Sequence, residues 1–224
     1  MPDSQTTGTS QASGVKSRGV ALVTGGARRL GRAIALELAA QGWDVAVHCN
    51  RSRDEADALA TQIRGLGRRA AVLQADLSDE AATARLIPAC IDALGVPACL
   101  VNNASLFQYD VATSFSYGSL DTHMRTNVAA PLLLAREMHK ALGADGNETG
   151  QLGVVINLLD QKLNNLNPDF LSYTLSKSAL QTATVQLAQA LAPRLRVVGV
   201  APGITLVSGD QSDPNTFVGV WNPR

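Results

Sequence analysis

Aromatic residues make up only 4% of this 224-residue chain, and cysteine is scarcer still, at three. Cys49, Cys90 and Cys99 form no C-x-x-C pair and have no histidine at ligand spacing, which excludes a zinc ribbon or a disulfide framework. They read as small buried hydrophobes with reduced thiols, as in a cytoplasmic protein. Charge of one sign is missing too: 19 Lys and Arg balance 19 Asp and Glu. No basic face therefore points to nucleic acid or an anionic membrane. Every long apolar run is broken well short of a membrane span. The opening MPDSQTTGTSQASGV lacks the apolar core of a secretory signal, so residues 1–18 read as a disordered leader. With 46% hydrophobic residues, the chain can bury one core, expected over 19–217, with an irregular tail at 218–224.

What is present is an alternation. Short apolar runs at 20–24, 44–48, 70–77, 98–104, 153–160 and 196–203 read as strands. Helical patterns fall between them at 30–40, 54–67, 79–94, 119–142 and 170–192, the fourth interrupted at Pro131. Apolar strands with little alternation, separated by helices, predict an α/β fold: a doubly wound, Rossmann-like parallel sheet covered on both faces. Ligands are expected at the C-terminal strand ends.

Two turns carry the first chemistry. Thr24-Gly25-Gly26-Ala27-Arg28-Arg29-Leu30-Gly31 leads from a strand into a helix. Such a turn lets backbone approach a pyrophosphate while the helix N-terminus favours its charge. Gly25 and Gly31 would supply the close approach and Arg29 a cationic contact; an ordinary tight turn is the alternative. The second strand ends in His48-Cys49-Asn50-Arg51-Ser52-Arg53, with nothing acidic before Asp54. An NAD enzyme usually places a carboxylate there for the ribose hydroxyl. Arg51 and Ser52 instead offer a fork and a hydroxyl to a ribose phosphate, which favours NADPH. A solvated basic loop is the bland reading.

Tyr173 and Lys177 stand four apart in LSYTLSK, one helical turn, so both face the same way and the ammonium could lower the phenol's pKa. Taken with the glycine turn, Asp76-Leu77, Asn102-Asn103-Ala104 and Asn127, the pattern resembles the short-chain dehydrogenase/reductase family from about Val20 to Gly203. Two features resemble its pteridine reductase subgroup more narrowly. Arg29-Leu30-Gly31 carries arginine where most of the family has glycine, and Asp160 stands where most have serine.

The resemblance implies roles at matching positions. Asp160, Tyr173, Lys177 and Asn127 would form the catalytic set, with Lys177 also holding the nicotinamide ribose. Asp76 would bond the adenine amino group beside Leu77. Asn103 and Ala104 would line the adenosine ribose, Ser105 the nicotinamide side, and Pro202-Gly203 the nicotinamide border. His48, Asn50, Arg51 and Ser52 match the cofactor segment, alongside Gly25, Arg29, Leu30 and Gly31. Phe107 would stack on a pterin, with Arg29, Asp160 and Tyr173 also on the substrate. A carboxylate can accept from a pterin's ring nitrogens and amine, or deliver a proton, where a serine would serve a carbonyl oxyanion. A helix cap or a loop carboxylate is the structural alternative for Asp160.

Three function classes follow: an NADPH-dependent reductase of a dihydropterin or dihydrofolate, a reductase of another carbonyl substrate, or a non-catalytic dinucleotide-binding remnant. The remnant is considered because relatives of this pattern continue past a sixth strand to a covering segment, a helix and a seventh strand. Here the sequence ends at Arg224, so the seventh strand is expected to be missing. The family implies a homotetramer, which that short C-terminus weakens. His123 and His139 read as ordinary helix residues, Met124 and Met138 as packing, and Trp43 as core or rim. No metal motif is present.

Overall fold

The computed structural model describes residues 17–143 and 152–203. Nearly all of the expected leader, the 218–224 tail and the question of a seventh strand lie outside the described residues. Six parallel strands form one sheet in the order β3-β2-β1-β4-β5-β6. They are β1 (Val20–Val23), β2 (Asp44–Cys49), β3 (Ala70–Gln74), β4 (Pro97–Asn102), β5 (Gly153–Leu158) and β6 (Leu195–Val200). The chain order reverses between β1 and β4, where a doubly wound sheet opens a crevice at its C-terminal edge. The register Val23↔Val101 brings the turn after β1 beside the loop after β4 at that crevice.

Both faces of the sheet are covered, which explains why β1 and β2 are buried at every position. On one face, Ala21, Val23, Val45 and Val47 pack under α1 (Arg29–Ala40) and α2 (Arg53–Gly65) through Ala35, Leu59 and Ile63. On the other, Leu22, Leu100 and Val155 meet Ile87 of α4 (Leu86–Leu94) and Leu134 and Met138 of α6 (Ala130–Leu142). Each such fully buried leucine is worth about 2–5 kcal/mol against alanine. Met138 is core, as expected, and Trp43 packs at the margin of the α1–α2 face.

Several element ends differ from the sequence reading. The third strand stops at Gln74 instead of 77, because the Asp76 carboxylate accepts from Ser78 N and folds the chain into a turn. The helix expected over 79–94 is two: α3 (Glu80–Ala84), capped by Asp79, and α4, with a break at Arg85. Pro88 explains the break, since it has no N–H for the carbonyl of Ala84 and is tolerated only in a first turn. The long helix begins at α5 (Tyr117–Met124), where Ser116 accepts from Ser119 N. It is not interrupted at Pro131. It passes through a π turn, Arg125–Ala129, in which Ala130 N bonds the carbonyl of Arg125, five residues back, and Pro131 then opens α6. A 3-10 turn (Gln161–Asn164) precedes α7 (Leu171–Leu191). Among the described residues, no helix is long and apolar enough to cross a membrane.

Candidate active site

The turn after β1 is braced from three sides. Thr24 Oγ1 accepts from Asn103 N and Ala104 N, both at 3.0 Å, and donates to Val101 O. The Asn103 amide donates to Thr24 O at 2.9 Å and Gly25 O at 3.1 Å. Gly25 N–H donates to His48 Nδ1 at 3.1 Å, which leaves Nε2–H to donate to Ala75 O, also at 3.1 Å. Burial lowers the His48 pKa to about 4, so the ring is neutral, as an acceptor at Nδ1 requires. Gly31 is packed so closely that a Cβ there would lie 2.2 Å from Gly25 O. Gly25 itself sits at φ +59°, a conformation that suits glycine.

This turn fits a dinucleotide phosphate. No side chain caps α1 and no acidic residue stands in its first turn, so its N–H groups are open to an anion. Arg29 opens the helix at φ +49°, a strained setting for a side chain, and points into solvent. Leu30 is half-buried behind it. Arg28, which the sequence reading passed over, ion-pairs with Glu55 of α2 and lines a cavity of about 400 Å³ with Arg29, Arg32 and Gln62. The run Arg28-Arg29-x-x-Arg32 is the signal that could have found it.

Several residues assigned to the cofactor from the sequence cluster after β2 and β3. Arg51 and Asn50 are exposed beside Asp76, and the Ser52 hydroxyl makes no capping bond. Bonds from Ser78 lower the Asp76 pKa. Others are repositioned. His48 is 2% exposed and supports the turn from beneath, with both ring nitrogens already used by backbone groups. The Asn103 amide is turned onto the glycine turn. Leu77 is buried and faces a groove of about 840 Å³ beside Met124, Val128 and Leu187.

At the end of β5, Asp160 uses both oxygens. Oδ1 caps the 3-10 turn by accepting from Lys162 N at 2.8 Å, and Oδ2 accepts from the Tyr173 hydroxyl at 2.6 Å. The cap and the tyrosine partner were alternatives in the sequence; here one carboxylate is both. Lys177 Nζ donates to Leu158 O at 2.7 Å and lies 5.7 Å from the Tyr173 ring centre. Burial lowers the Lys177 pKa to about 8. The expected lowering of the phenol is reversed: burial, then the bond to Asp160, raises the Tyr173 pKa. Pro202 O accepts from Gln161 N at 3.4 Å, which sets Pro202-Gly203 against the loop that follows Asp160.

Asn127 is hydrogen-bonded to none of these three. Its amide donates to Leu106 O and Ser176 Oγ, and its oxygen accepts from Leu106 N and, at 3.3 Å, Ser105 Oγ. It clamps the loop that carries Phe107. That ring lies edge-on to Tyr173, with centroids 4.7 Å apart, and stacks on Phe170 at 4.3 Å and 12°. One face of the expected stacking residue is thus already covered. Phe170 also meets Tyr109 edge-on, with Lys162 Nζ 5.3 Å from its ring centre. His123 is not an ordinary helix residue but a fully buried one, bonded to Ser119 O and Gln108 N. Among the described residues, no cluster of three or more ligand-type side chains could hold a metal.

A parallel sheet in this order, a glycine turn opening onto an uncapped helix, and a Tyr–Lys pair one turn apart at the sheet's C-terminal edge define a nicotinamide-dependent oxidoreductase. The chain belongs to the short chain dehydrogenase family, whose profile matches residues 19–216. It is 36% identical over 198 residues to an uncharacterised oxidoreductase of Mycobacterium tuberculosis, covering 84% of this chain and 70% of that one. It is 29% identical over 232 residues to pteridine reductase 1 of Leishmania tarentolae, covering 85% and 78%. Among solved structures it resembles FolM alternative dihydrofolate reductase 1 from Brucella canis, complexed with NADP. Identity there is 48%, the TM-score is 0.79, and coverage is 85% of this chain and 75% of that one.

Proposed function

We propose that this short-chain oxidoreductase is an NADPH-dependent pteridine reductase that reduces a C=N bond of a dihydropterin, with dihydrofolate as a second candidate substrate. The observation that carries this reading is the 2.6 Å bond between Tyr173 and Asp160, a carboxylate in place of a hydroxyl donor. The likeness to an alternative dihydrofolate reductase and a pteridine reductase supports it.

NADPH, when bound, supplies the hydride. Gly25, Gly31 and the first turn of α1 would receive its pyrophosphate, while Arg51, Ser52 and Arg28 would face the ribose phosphate. Asp76 would take the adenine, and Lys177 the nicotinamide ribose, near Ser105 and Pro202-Gly203. Asp160, Tyr173, Phe107 and Arg29 would hold the substrate. Since burial and Asp160 both keep the proton on Tyr173, the phenol stays protonated through the neutral range. Proton delivery to the ring nitrogen therefore belongs to the hydrogen-bonded pair rather than to either group alone. Three buried thiols suit a reducing cytoplasm. A homotetramer is the assembly expected from the family resemblance.

The test is NADPH oxidation by the whole chain with dihydropterin, dihydrofolate and a ketone panel, NADH run in parallel. Turnover with a pterin and preference for NADPH are expected. Asp160→Ser should cost about 100-fold or more in pterin turnover, within the range for loss of a positioned proton-transfer group. Intact pterin reduction in that variant would sink the carboxylate's role.

A further inference from the structure

Phe170, at φ +56°, immediately precedes helix α7, and no side chain of the helix's own caps it. Its first N–H groups are nevertheless satisfied, by one residue some sixty positions upstream. Asp110 O accepts from Leu171 N at 3.0 Å, and Asp110 Oδ1 accepts from Ser172 N at 2.9 Å. Oδ2 accepts from Ser172 Oγ at 2.5 Å and from Ser119 Oγ at 3.1 Å. Asp110 is 4% exposed. Ser172 directly precedes Tyr173, and Asp110 lies three residues past Phe107 on the same loop. A single side chain thus ties the loop on one side of the substrate position to the helix start on the other.

The geometry assigns Asp110 as a positioning residue: it fixes the first turn of α7 and so holds the Tyr173 hydroxyl on Asp160. This rests on the reading of Tyr173 and Asp160 as the proton-delivering pair. The local caps elsewhere in the fold, Asp79 and Ser116, each reach only three residues along their own helix. Asp110 instead joins two segments that each bear a site residue. A displaced phenol would lose the reach that proton transfer needs, and small misplacements of reacting groups carry large rate costs.

The experiment compares Asp110→Ala, Asp110→Asn and Ser172→Ala in the full chain. The readouts are kcat and KM for the pterin, NADPH affinity, and the 13Cζ resonance of Tyr173. With three tyrosines the labelled spectrum has three signals, and exposed Tyr117 supplies the solvent value. Asp110→Ala should lower kcat about 10–100-fold, move the Tyr173 signal towards that of Tyr117, and leave NADPH affinity within about twofold, since the phosphate turn is untouched. Asn can still accept from Ser172 N while the hydroxyls reorient, so Asp110→Asn should restore most of kcat and the signal. A folded Ala variant with unchanged kcat and an unmoved Tyr173 signal overturns the assignment, as does equal loss of NADPH affinity. Should the Ala variant not fold, the same readouts on Asp110→Asn and Ser172→Ala decide, with a small shift expected in each and none overturning the assignment. If the wild type reduces no pterin, the functional reading fails, and the Tyr173 signal still reports on Asp110.

Discussion

Helices α1 and α7 begin alike and are finished differently. A non-glycine residue in the left-handed region stands at each start, Arg29 as the first residue of α1 and Phe170 just before α7, and neither helix carries a side-chain cap of its own. At α1 the N–H groups are left open while the turn before them is braced from below by His48, Thr24 and Asn103. At α7 the same groups are consumed by Asp110. An open helix start can take an anion; a filled one can only hold geometry. The half of the site proposed for the cofactor is thus open to charge, and the half proposed for proton transfer keeps two oxygens 2.6 Å apart.

The strongest way to break this contrast is Gly31→Ala. The new Cβ would meet Gly25 O at 2.2 Å and Asn103 Nδ2 at 2.5 Å, and the turn has no slack, so it must open. NADPH affinity should fall at least about 100-fold, or roughly 3 kcal/mol, read by fluorescence titration, with the Tyr173 resonance unmoved. A shifted Tyr173 signal would show that the two halves are not separate.

Acid should undo the α1 side through His48. Its pKa is about 4 in the fold against 6.5 for an ordinary histidine, so between those values the unfolded chain binds more protons. Stability therefore falls as pH drops from 6.5 to 4, by about 3 kcal/mol at 1.36 kcal/mol per pH unit. Denaturant melts across that window should show the slope in the wild type and a flatter one in His48→Asn, whose oxygen can still accept from Gly25. Equal slopes would mean that His48 is not the group being charged.

The smallest effect is expected at Arg29→Gly. Relief of a left-handed side chain, about 1–2 kcal/mol, exceeds the added chain entropy of glycine, about 0.5–1 kcal/mol. A net gain below about 1 kcal/mol should appear in thermal melts, together with weaker substrate binding. A stabilised variant with unchanged KM would show that the strain at Arg29 serves no ligand.

Much of the framework was legible because it is local. Short apolar runs separated by helical patterns placed the six described strands, and the glycine-rich sequence placed the turn after β1. The Tyr173–Lys177 step placed both side chains on one face of α7. Other features depend on contacts that no local pattern carries. His48 reads as part of the cofactor segment, and its place beneath the turn shows only once β3 is known to run beside it and lead to Ala75 O. The four bonds that Asn127 makes to Ser105, Leu106 and Ser176 join segments far apart in the chain. Asp110 lies in a stretch with neither helical nor strand periodicity, and its partner Ser172 is 62 residues away. The π turn was hidden for another reason: Pro131 signals a local disturbance but not how the backbone absorbs it.

That π turn also fixes the length of its helix. Upstream of it, α5 must present Ser119 and His123 to the loop around Asp110; downstream, α6 must present Leu134 and Met138 to the sheet. An ordinary helix advances about 100° per residue, so the extra residue in Arg125–Ala129 works as a phase shifter between two faces. Insertions and deletions that a surface loop would absorb are barred here, since either one rotates half of the helix off its target. The span from Ser119 to Leu134 is in effect a measured distance, set by the number of residues between its two faces.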